Sequence, residues 1–131
     1  MELFEACKSG DLELLKLFSQ NNYCLQQRSK EGWDALIISA FNGHLETIKY
    51  LIEELAWDVK TVNNNGTTFL MYVMTMCSLS KQTVNLEYVI SLPAINIFKK
   101  DFYGNDVFYY AQKYAYQPVI NLLNNIYISN D

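Results

Sequence analysis

The 131-residue chain predicts an all-α fold, a solenoid of stacked helix-turn-helix units with turn fingers between them. Three observations carry that prediction. Glu2–Phe18 (ELFEACKSGDLELLKLF) and Ala35–Leu51 (ALIISAFNGHLETIKYL) superpose at an offset of 33, matching Leu3 with Leu36, Gly10 with Gly43, Leu12 with Leu45 and Lys16 with Lys49. Self-similarity at such a period is the mark of a repeat architecture. Gly32, Gly66 and Gly104, spaced 34 and 38 residues apart, each precede a polar helix starter and an apolar run. Behind each such run lies a second apolar pattern at helical spacing.

The first unit, 1–27, holds a short helix near 3–8 and a second at 12–19. The second unit, 28–60, turns at Gly32 and starts a helix at Asp34, whose carboxylate suits an N-cap. That helix spans 34–42, and a second follows at 45–55, with Leu45, Ile48, Leu51, Ile52 and Leu55 on one face. Having neighbours on both sides, this unit is expected to bury Leu36, Ala40, Leu45, Ile48 and Leu51. The third unit, 61–98, repeats the pattern with Thr68 as cap, helices at 68–77 and 86–92, and Cys77 in place of the hinge glycine. Its extra length falls at 78–83 (SLSKQT), expected to bulge from the inter-helix hairpin. The fourth unit, 99–131, places Asp106 as cap, with helices at 106–114 and 118–126. Pro118 is tolerated there because a first helical turn has no amide partner to lose. In each unit a short helix precedes a longer one, and all four units form a single domain.

These residues resemble the ankyrin repeat family. Gly43-His44-Leu45-Glu46 is similar to the family's G-H-L-E hinge, and Ala56-Trp57-Asp58-Val59-Lys60 to its exit segment. The T-P-L-H box is represented by Asp34-Ala35-Leu36-Ile37, Thr68-Phe69-Leu70-Met71 and Asp106-Val107-Phe108-Tyr109, with neither Pro nor His retained. The likeness runs from Glu2 to about Asn125. It implies a protein-binding module with a concave groove lined by turn tips and the exposed edges of first helices.

On that basis the groove positions are Lys30, Glu31, Trp33, Phe41 and Asn42 in the second unit. They are Asn64, Asn65, Thr67, Thr75 and Met76 in the third, and Phe102, Tyr103, Asn105, Lys113 and Tyr114 in the fourth. The set is rich in Trp, Tyr, Phe and Met, the chemistry of contact sites and hot spots. Trp57 and Tyr88 are read instead as packing residues.

A net charge of −4 argues against a nucleic-acid partner, and Lys99-Lys100 is too short a basic run to reverse that. No segment has the length of a membrane span, and the acidic amphipathic start is unlike a leader, which predicts a cytoplasmic protein in its own cell or a host's. Cys7, Cys24 and Cys77 lack metal-ligand spacing and are read as structural thiols, so no metal or cofactor is expected. His44, the sole histidine, is read as bridging neighbouring loops, while Glu53 and Glu54, adjacent on a helix, cannot face each other. No catalytic constellation emerges.

The expected function is therefore non-enzymatic: binding a partner protein as inhibitor, adaptor or recruiter. The alternatives are an effector-type protein acting on a host partner and a self-assembling structural repeat protein. The apolar C-terminal helix, with Ile126, Tyr127 and Ile128, predicts a monomer or a weak homo-oligomer through that end.

Overall fold

The computed structural model describes residues 2–21 and 26–129. Cys24 lies outside them. Eight α-helices and no strand occur among the described residues: α1 (Glu2–Ser9), α2 (Leu12–Gln20), α3 (Ala35–Phe41), α4 (Leu45–Lys49), α5 (Phe69–Ser80), α6 (Val84–Ile90), α7 (Val107–Tyr114) and α8 (Gln117–Ser129). A π-helical turn, Tyr50–Glu54, continues α4.

The first helices form a row, α1 against α3, α3 against α5 and α5 against α7. The second helix of each pair packs behind its first. One core runs through the stack, and Leu3, Leu15, Leu36, Ile48, Leu51, Phe69, Leu86 and Leu123 are all fully buried within it. The expected caps form: Asp34 accepts from the Ile37 amide at 2.9 Å, Thr68 from Met71 at 3.1 Å and Asp106 from Tyr109 at 3.0 Å. Each satisfies a first-turn amide that has no partner inside the helix.

At the hinge, Gly43 has φ +76°, a conformation an L side chain rarely adopts. The next residue, His44, reaches back one unit, with Nε2 2.7 Å from the Lys8 carbonyl. A carbonyl only accepts, so this nitrogen carries the proton. Asn85 does the same one unit later, donating to the Gly43 carbonyl at 3.2 Å. Asn85-Leu86-Glu87 thus restates His44-Leu45-Glu46.

Several expectations are corrected. Residues 78–83 do not bulge, because α5 extends through Ser80, and Ser78 is buried with its hydroxyl on the Met74 sulfur at 3.5 Å. Cys77 lies inside that helix and marks no hinge. The third unit therefore has the long helix first, 12 residues against 7 in α6, which starts at Val84 and stops at Ile90. The helix expected at 45–55 switches to π-helical bonding after Lys49, with the Leu55 amide on the Tyr50 carbonyl at 3.2 Å. Leu45, at the start of α4, is half-buried, whereas Leu36, Ala40, Ile48 and Leu51 are buried as expected. Pro118 sits in the first turn of α8.

Candidate functional site

Three fingers project between the helix pairs, and their residues build them the same way. Ser29, Asn63 and Asp101 each use a side-chain oxygen to accept the amide four residues on, from Trp33 at 3.1 Å, Thr67 at 2.9 Å and Asn105 at 3.0 Å. The backbone closes each turn, with the Gly32, Gly66 and Gly104 amides on the Ser29, Asn63 and Asp101 carbonyls at 2.9, 3.0 and 3.1 Å. Side chains that bond their own backbone a few residues on are natural turn builders.

The fingers also stack on one another. The Asn64 amide donates to the Glu31 carbonyl and the Phe102 amide to the Asn65 carbonyl, both at 3.0 Å. Asn64 Nδ2 adds a bond to the Lys30 carbonyl at 2.9 Å. A Cβ on Gly32 would lie 2.3 Å from Asn64 Oδ1, and one on Gly66 2.6 Å from Phe102 Cδ1, so each glycine is roofed by the next finger.

Below the fingers, Trp33 and Phe41 meet edge to face at 5.2 Å between ring centroids, and Tyr72 joins both at 5.0 and 5.9 Å. These separations lie in the range where aromatic pairs attract. The Tyr72 hydroxyl takes a hydrogen bond from Asn63 Nδ2 at 2.9 Å, and burial pushes its phenol above the ordinary value. Beside the cluster, a cleft of about 280 Å³ opens between α1 and α3, with Phe4, Lys8, Trp33, Ile38 and Phe41 among its walls.

Of the groove positions, Lys30, Glu31, Asn64, Asn65, Lys113 and Tyr114 are exposed, as is Phe41 at 37%. Phe102 and Tyr103 are far more so, at 75% and 71%. Trp33, Asn42, Thr67, Thr75, Met76 and Asn105 are half-buried. Trp33 and Phe41 thus act together as one aromatic floor with Tyr72, while Phe102 and Tyr103 stand on the third finger. Tyr72 was missed because it lies in mid-helix, away from the turn and hinge glycines that define groove positions. Its signal was the shared spacing of Asn63–Tyr72 and Asp101–Tyr110, nine residues in each case.

Arg28 and Asp34 also escaped notice as a pair. Asp34 Oδ2 accepts from Thr61 Oγ1 at 2.7 Å and Trp57 Nε1 at 3.1 Å, with Arg28 Nη2 at 3.7 Å. Arg28 in turn donates to the Gly32 and Val62 carbonyls at 2.7 and 2.9 Å, tying the first finger to the second. Trp57 packs inward, as expected of it. Tyr88, itself half-buried, donates to the exposed Glu53 at 2.5 Å. Burial pushes the Cys7 thiol up to about 11, which keeps it protonated and unreactive, and raises Cys77 likewise.

Residues 3–86 match a family model described as ankyrin repeats (3 copies). The chain belongs to the ankyrin repeat family. Ankyrin repeats generally mediate protein–protein interaction and are typically non-catalytic. The chain is also similar to Notch-regulated ankyrin repeat-containing protein A of Danio rerio, 40% identical over 50 residues, which are 38% of this chain and 45% of that protein. The Homo sapiens and Mus musculus Notch-regulated ankyrin repeat-containing proteins are each 38% identical over 50 residues, covering 38% of this chain and 44% of their own length. The matched stretch is thus less than half of each relative. No helix among the described residues is long and apolar enough to cross a membrane.

Proposed function

We propose that the chain binds a partner protein through its concave face, without catalysis, and acts in the cytoplasm as an inhibitor, adaptor or recruiter. The observation that supports this most is the Trp33–Phe41–Tyr72 floor, three rings drawn from two repeats and set beside an open cleft. Phe102, Tyr103 and Tyr114 extend the surface into the fourth unit, and Lys30, Glu31, Asn64, Asn65, Thr67, Met76, Asn105 and Lys113 form its polar and flexible rim. Aromatic anchors ringed by polar residues are the usual anatomy of a protein contact.

The test is affinity capture of a partner, followed by binding measurements on Trp33→Ala, Tyr114→Ala and the back-face control Lys49→Ala. Loss of a central aromatic anchor is expected to cost about 2 kcal/mol or more of binding, with the control near the parent. Salt dependence is expected to be modest, because the rim mixes both signs of charge with neutral Asn. Parent-like binding by two folded groove variants, with weakened binding by Lys49→Ala, would move the working face to the other side.

A further inference from the structure

Away from the groove, two clefts of about 410 and 380 Å³ lie side by side and share Val59, Lys60 and Ala94. None of the groove positions lines either of them. The exit segments of the second and third units form both, so the surface bridges two repeats. Aliphatic side chains line both, Val59, Leu70 and Ile95 in the first beside the polar Thr68 and Asn96, and Val59 and Leu92 in the second. The π-helical turn contributes Ile52.

The rim has a different chemistry. Lys60 and Lys99 line the first cleft, both exposed, and neither ammonium has an ion pair or a ring partner among the described residues. The one carboxylate in the lining, Asp58, is engaged by the Lys60 amide at 2.9 Å. Two unpaired cations against one carboxylate leave the rim of this trough net positive, on a chain of net charge −4.

We propose that this surface is a second docking site, and that its occupant is an acidic segment of a partner protein which sets an aliphatic side chain into the trough. The charge complement decides the acidic character, since opposite potentials steer partners and fix register. The walls decide the aliphatic anchor. A nucleic-acid strand fits less well, because the lining offers only one ring for a base to stack on, Trp57, and that ring is buried.

The experiment uses the full chain and a fluorescein-labelled peptide with one leucine flanked by glutamates, followed by anisotropy. Binding by the parent should weaken with added salt. Lys60→Glu combined with Lys99→Glu should weaken it about tenfold or more, because both exposed cations become repulsive. Trp33→Ala should leave it unchanged, which separates this site from the groove. Replacing the peptide's leucine with serine should also weaken binding. No binding to the parent, indifference to the double charge reversal, indifference to leucine removal, or equal displacement by oligodeoxythymidine would each overturn the proposal.

Discussion

The finger residues show how one geometry accepts two chemistries. In the second finger Asn63 donates its amide to the Tyr72 hydroxyl, while in the third the Tyr110 hydroxyl donates to the Asp101 carboxylate. Desolvation alone would raise the Asp101 carboxyl, but the Tyr110 hydroxyl and the Asn105, Tyr103 and Gly104 amides outweigh it and hold it below the usual carboxylate range. A folded-state pKa below the unfolded value contributes stability at neutral pH, and that contribution is lost as pH falls through the folded value. Asp101→Asn, which copies the second finger, is therefore expected to flatten the acid side of the stability–pH curve, read by urea unfolding at several pH values. Unchanged acid sensitivity would show that other carboxylates set it. Asp34 is more exacting, because its two oxygens serve a cap, Trp57 and Thr61 together. Asp34→Ala is expected to cost about 2–4 kcal/mol, from a lost cap and stranded buried donors, measured by the same unfolding.

Among the elements, those with a local signal were legible and those set by tertiary packing were not. The caps at Asp34, Thr68 and Asp106 could be read because an N-cap is a short-range bargain between one side chain and one amide. The length of α5 could not. Ser78, Leu79 and Ser80 look like a turn, yet the spacing from Gly66 to Gly104 is four residues longer than that from Gly32 to Gly66, and α5 takes up the difference as about one more turn of 3.6 residues. An insertion of that size keeps the buried face of a helix nearly in register, which a polar composition does not reveal. The π-helical turn was hidden for the same reason, since periodicity over so few residues cannot separate 3.6 from a wider winding. In the candidate site, Phe41, Phe102, Tyr103 and Tyr114 are all exposed, and exposure is the part of that reading a repeat register can give. The trough between exit segments had no repeat pattern to announce it. The hinge bonds belong to this scale as well. His44→Ala and Asn85→Ala each remove one bond between adjacent units and are expected to cost about 1 kcal/mol by thermal melting. A neutral result for Asn85→Ala alone would mean that the two hinges are not equivalent.

At the level of the whole molecule, each helix pair leans on its neighbours, so stability adds up along the stack from unit and interface contributions. Along α8, Asn121, Asn124 and Asn125 are exposed, and so is Ile128, at 68%. Phe98, Phe108 and Tyr127 meet near that end at 5.7 to 6.0 Å between centroids. Homo-association through the C-terminal helix is our proposal for that apolar remainder. Ile128→Glu is expected to change unfolding free energy by no more than about 0.5 kcal/mol while abolishing any concentration-dependent association in light scattering. Association that persists in the variant would locate the contact elsewhere.

The roofing of one finger by the next has a further consequence. Gly104 has the same left-handed backbone as Gly32 and Gly66, yet a Cβ there would meet nothing within 4 Å. The Tyr103 carbonyl, which corresponds to those of Glu31 and Asn65, accepts no bond among the described residues. Every finger thus presents to its successor the surface that its predecessor presented to it. A molecule made this way can lengthen by duplication of a coding segment, because the interface that the new copy requires is already encoded in the old one.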